Sequence, residues 1–104
     1  MVPRRISVGA RNYPLIGSVL AGMFSSSVGY SEEQALAALS RDLRTIEKFR
    51  TGFREELRRA SHDDTLSWSE LLEEHDVAFF EDEAAAKRYA QKMLWYPTFP
   101  NSQP

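Results

Sequence analysis

Ser31-Glu32-Glu33-Gln34-Ala35-Leu36-Ala37-Ala38-Leu39-Ser40-Arg41-Asp42-Leu43 decides the fold class. It opens with a hydroxyl able to satisfy a free helical N–H and a Gln34 able to reach back to another. Those are the two halves of a capping box. Behind it Ala35, Leu36, Leu39, Leu43, Ile46, Phe49, Phe53 and Leu57 recur at steps of mostly three and four. That is the period of a helix with one buried stripe. It predicts one or two helices over about residues 32–59, with a break favoured at Ser40 or Asp42, either of which could cap a second helix. Gly52 interrupts the pattern at a cost of about 1 kcal/mol against Ala, so a packing reason for it is expected.

Upstream, Leu15, Ile16, Val19, Leu20, Met23 and Phe24 repeat at helical spacing. Pro14 fits a first helical position, where its missing N–H costs nothing. Arg4 and Arg5 ahead of this apolar run, and Ser25-Ser26-Ser27 behind it, give it the outline of a secretory signal. Arg11 and Tyr13-Pro14 interrupt that outline. The run is also far short of the ~20 residues that span a bilayer. It reads as a buried first helix ended by Ser25 to Gly29.

Downstream, Ser67-Trp68-Ser69-Glu70 is a second capping-box sequence. Trp68, Leu71, Leu72 and His75 share one face of the short helix it opens, with Glu70, Glu73 and Glu74 pointing away. Val77-Ala78-Phe79-Phe80 reads as a buried connector or short strand. Asp82 opens a last helix with an inner stripe of Ala86, Tyr89, Ala90, Met93 and Leu94, stopped by Pro97. Phe99 is a candidate tether for the tail. The expected fold is all-α: a single compact domain of four or five helices over residues 1–104. An N-terminal arm covers 1–12, with an extended piece at 5–8, and a C-terminal tail covers 97–104. Trp68, Leu71, Leu72, Phe79, Phe80, Tyr89 and Met93 should lie inside with Leu15, Val19, Leu20, Leu39, Ile46, Phe49 and Phe53.

The chain has 104 residues, 42% of them hydrophobic, and no cysteine. That supports one core without staples and excludes disulfides and thiolate chemistry. It suits a reducing cytoplasm. The net charge of −2 conceals a segregation. Residues 1–60 carry ten basic and six acidic side chains, a net +4; residues 61–104 carry three and nine, a net −6. From Asp63 and Asp64 through Glu70, Glu73, Glu74 and Asp76 to Glu81, Asp82 and Glu83 no base intervenes. Such a field steers partners of opposite sign.

No catalytic signature accompanies it. His62 and His75 are thirteen residues apart, without the tight ligand spacing of a zinc site. No glycine pattern suits a phosphate loop. Neither a cofactor nor a metal nor turnover is expected. Arg50, Arg54 and Arg58 make one stripe at i, i+4 and i+8, as nucleic-acid binding needs. Glu47, Glu55 and Glu56 interleave it, Glu55 and Arg59 form an i,i+4 pair, and the isoelectric point near 5.7 is far from basic. A salt-bridged outer face, or a dock for the chain's own acidic segment, is the simpler reading. Acids around the apolar Trp68 and Phe79-Phe80 are what a protein needs to cover a basic cleft.

Several stretches resemble the small helical immunity proteins of bacterial contact-dependent growth inhibition systems. They are Tyr13-Pro14-Leu15 leading to Ala21-Gly22-Met23-Phe24, then Gly29-Tyr30-Ser31-Glu32-Glu33-Gln34-Ala35-Leu36, the basic helix, and Leu71-Leu72-Glu73-Glu74. Where such proteins often carry a polar run with His and Asp, this chain has Ser25-Ser26-Ser27-Val28. The resemblance implies binding of a cognate toxin domain, often a nuclease, in the cytoplasm, with no membrane and no direct nucleic-acid contact. Oligomeric state is left open. On charge alone, Glu70, Glu73, Glu74, Asp76, Glu81 and Asp82 are the expected partner-binding residues. A small regulator or adaptor acting through the basic 41–59 helix is the alternative.

Overall fold

Pro14 begins the first complete helix among the described residues, 12–104, of the structure, a computed structural model. The expected N-terminal arm, with its extended piece at 5–8, lies outside those residues apart from Asn12. Helix α1 (Pro14–Val19) continues as a π-helical turn over Leu20–Phe24, closed by a Ser25 N–H to Leu20 C=O bond of 2.7 Å. After a loop turning on Gly29 (φ +80°), α2 (Glu32–Thr45) and α3 (Glu47–Ser61) follow. Helix α4 spans Trp68–Glu74. Helix α5 spans Glu83–Ala90 and continues through a π turn at Gln91–Trp95 into a last turn at Tyr96–Thr98. The described residues form an all-helical globule of five helices and contain no strand. None of the helices is long and apolar enough to cross a membrane.

The capping box at Ser31 forms in full. Ser31 Oγ accepts from the Gln34 N–H at 3.1 Å, and Gln34 Oε1 accepts from the Ser31 N–H at 2.9 Å. The helix it starts runs straight past Ser40 and Asp42, because Leu39 and Leu43 keep one face buried through them. The break falls instead at Ile46 (φ −118°, ψ 93°). There the Arg50 side chain donates to the Leu43 carbonyl at 3.2 Å, satisfying a carbonyl that the helix end leaves free. Ile46 sits at the outside of this corner and is 47% exposed, contrary to the buried position expected for it.

Helix α3 packs on both α1 and α2. Gly52 has the expected packing reason: a Cβ there would come within 2.6 Å of Leu15 Cδ1. Ile16, Leu20, Leu39, Phe53, Leu71, Leu72, Met93 and Leu94 are sealed in one core. Leu15, Phe49, Phe80 and Tyr89 are half-buried against it.

The C-terminal segment departs from expectation. Pro97 does not stop the helix. In an α-helix its ring would clash with the carbonyl four residues back. The preceding π turn, closed from the Tyr96 N–H to Gln91 C=O, re-registers the chain so that Pro97 falls in the first turn of a new helical segment. Thr98 and Phe99 are buried, so the exposed tail is only 100–104. Phe99 stacks on Trp95 with centroids 4.4 Å apart, and the Trp95 indole donates to the Ser102 carbonyl at 3.1 Å.

Candidate protein-interaction face

Two carboxylates from distant positions in the chain complete helix N-termini that the local sequence caps only in part or not at all. Tyr13, ahead of α1, offers no side-chain cap. Glu56 on α3 supplies one: its carboxylate accepts the Leu15 N–H at 2.9 and 3.0 Å and the Ile16 N–H at 3.0 Å. Glu56 is 6% exposed and is the one buried ionisable acid among the described residues. At α4, Ser67 Oγ accepts from the Glu70 N–H at 3.2 Å, half of the expected capping box. Glu70 does not complete it. Glu83, from the first turn of α5, accepts the Trp68 N–H at 2.7 Å, the Ser69 N–H at 3.1 Å and the Ser67 and Ser69 hydroxyls at 2.8 Å each. Burial pushes the Glu83 carboxyl up, but those hydrogen bonds outweigh it and hold the group below the usual carboxylate range.

Further acids of the block are also used internally. Asp63 accepts from the Thr65 hydroxyl at 2.6 Å and N–H at 2.9 Å, and from the Tyr13 hydroxyl at 2.6 Å. The Thr65 and Tyr13 bonds lower the Asp63 pKa. Tyr13, buried and bonded to that carboxylate, is pushed up to about 12. Asp82 caps α5 through the Ala84 N–H at 3.1 Å.

What remains free forms a face. Helix α4 ends in a Schellman motif, with the Val77 N–H on Leu72 C=O at 2.9 Å and the Asp76 N–H on Glu73 C=O at 3.0 Å. Asp76 takes the left-handed position at φ 55°, and its carbonyl accepts from the Ser26 N–H at 2.8 Å. This reversal turns the chain so that Val77 and Phe80 pack on the core while Phe79, 69% exposed, stands in solvent. The connector expected to be buried or a strand is therefore neither at Phe79.

Glu73, Asp76, Ser26, Val77, Ala78 and Phe79 line one hollow of about 260 Å³. A second, also of about 260 Å³, adjoins it through Ser26 and Val77 and reaches Glu32 and Tyr30, itself 50% exposed. Of the six acids expected to bind a partner, the structure brings Glu73 and Asp76 together beside Phe79. Glu70 and Glu81 are exposed nearby in sequence, and Asp82 is exposed but serves as a cap. Glu74 departs from expectation. It is half-buried, and its Oε2 is sealed from solvent with no hydrogen-bond partner among the described residues.

The basic helix is not the salt-bridged face expected. Among the described residues the single ion pair is Arg41–Asp42 at 3.6 Å. Arg59 lies 5.2 Å from the Tyr13 ring instead of pairing with Glu55, and Arg54 and Arg58 lie 5.6 and 4.9 Å from the Phe99 ring. The chain's own acidic segment does not dock on them. His62 is exposed. His75 turns inward, its Nε2 3.4 Å from the Cβ position of Gly17 and without a hydrogen-bond partner among the described residues. Among the described residues no three His, Asp or Glu side chains converge as a metal site would require.

Compared with protein-family models, curated proteins and solved structures, the chain matches none. The class that the fold and this face define is a small all-α protein presenting an acid-flanked aromatic on an exposed turn.

Proposed function

We propose that this chain is an immunity protein: it binds a cognate toxin domain, a basic nuclease, and covers its active site. The observation that carries the reading is Phe79, held out of the core beside Glu73 and Asp76 after a turn fixed by a Schellman motif. An exposed aromatic held by rigid neighbours is the usual anchor of a protein interface. Uncompensated carboxylates around it steer a basic partner and reject an acidic one. The resemblance to contact-dependent growth inhibition immunity proteins points the same way. The regulator reading has less support, since Arg54, Arg58 and Arg59 are engaged with rings of their own chain.

The test uses the toxin domain encoded beside this gene. Phe79→Ala should weaken binding by roughly tenfold or more, mainly by faster dissociation. Glu73→Lys and Asp76→Lys should slow association, with an effect that shrinks as salt is raised. Arg54→Gln should leave binding nearly unchanged. Loss of binding on Arg54→Gln with none on the other three would put the interface on the basic side and sink the proposal.

A further inference from the structure

A third hollow, of about 410 Å³, lies where the C-terminal half of α2, the first half of α3 and the last turn meet. Its lining is Ser40, Leu43, Arg44, Arg50, Arg54, Pro97 and Thr98. Three guanidinium groups thus border one concavity, and no carboxylate does. Among the described residues none of the three has an acidic partner within 4.0 Å.

We propose that this hollow is a binding site for a small polyphosphate anion. The three arginines are held by the fold. Arg44 Nε donates to the Ser40 carbonyl at 3.4 Å, Arg50 Nη1 donates to the Leu43 carbonyl at 3.2 Å, and Arg54 lies over the Phe99 ring. Each of those contacts leaves further N–H donors of a rigid fork unused. Guanidinium does not deprotonate, so the mutual repulsion of three such groups persists at any physiological pH. An anion seated between them removes that repulsion and accepts paired hydrogen bonds, the geometry phosphoryl oxygens share with the guanidinium fork. The hollow is of small-ligand size, within the roughly 300–1,000 Å³ of typical sites, and has room for linked phosphoryl groups. Leu43 and Pro97 are its apolar lining, with no aromatic face for a base to stack on. That favours a compact anion over a single strand of nucleic acid, which is gripped through stacking platforms. The site is separate from the Phe79 face and does not rest on the toxin-binding reading.

The experiment titrates the full chain with tripolyphosphate and with pyrophosphate by calorimetry, and follows thermal unfolding against sodium chloride at matched ionic strength. Saturable heat and a raised unfolding temperature are expected for both anions. Arg44→Gln, an exposed position whose change does not threaten folding, should weaken binding by roughly tenfold, and Arg54→Gln similarly. Arg41→Gln, outside the hollow, should change it less than about twofold. No effect beyond matched chloride would overturn the proposal, and so would equal weakening by Arg41→Gln and Arg44→Gln, which would mean diffuse charge. Tighter binding of a short single-stranded oligonucleotide than of tripolyphosphate would overturn the choice of ligand.

Discussion

Helix α3 and the segment from Asp63 to Glu83 are both dense in charge, but they use it in opposite directions. Charges on α3 turn largely toward the chain itself. Glu56 caps α1, Arg50 caps the end of α2, and Arg54, Arg58 and Arg59 lie on the rings of Phe99 and Tyr13. The acidic segment commits Asp63, Asp82 and Glu83 to caps and turns of its own chain and leaves Glu70, Glu73, Asp76 and Glu81 in solvent, Glu73 and Asp76 beside Phe79. Charge density by itself therefore does not mark a binding surface. What distinguishes the two regions is how much of the charge the chain already engages: Arg50 and Arg54 keep only their remaining N–H donors for a ligand, whereas the Glu73 and Asp76 carboxylates are wholly free among the described residues.

The sharpest way to break this contrast is to truncate one phenylalanine from each region. Phe53 of α3 is wholly buried, and Phe53→Ala should destabilise by about 3–5 kcal/mol. Phe79→Ala should stay within about 0.5 kcal/mol, because the ring is already in water. Chemical denaturation of both variants checks this. A large loss at Phe79 would make the exposed turn a structural element and not an anchor.

A smaller effect separates two adjacent acids on α3. Glu56→Ala leaves the Leu15 and Ile16 N–H groups without an acceptor and should lose about 3 kcal/mol. Glu55→Ala, exposed one residue earlier, should change stability by less than about 0.5 kcal/mol. Equal losses would mean that α3 acidity acts through net charge and not through capping.

The smallest effect is the dependence of stability on pH. The Glu83 and Asp63 carboxyls are held below their usual range in the fold. Their contribution is therefore complete above the unfolded values near about 4 and is lost as pH falls through the folded ones. Tyr13 works at the other edge. Its folded pKa of about 12 stands above the ordinary 10, so its contribution is complete below 10 and lost as pH rises toward 12. Glu83→Gln should flatten the acid limb of the unfolding temperature and Tyr13→Phe the alkaline limb. An unchanged acid slope in Glu83→Gln would show that its hydrogen bonds form equally well in the unfolded chain.

Helix class, the Ser31 capping box, the Pro14 start, the Asp82 cap and most of the core were legible in the sequence. Each depends on residues within about one helical turn of one another or on a repeat along one helix, and such interactions are written locally. Ile46 as the corner, Pro97 inside a helical segment and the outward Phe79 were not. The caps supplied by Glu56 and Glu83 join positions 41 and 15 residues apart to the N–H groups they satisfy. Nothing local in the sequence distinguishes Glu56 from its exposed neighbour Glu55. Only the packing of α3 across α1, permitted where Gly52 meets Leu15, brings Glu56 to the start of the first helix and so decides which charges are internal and which are left to face a partner.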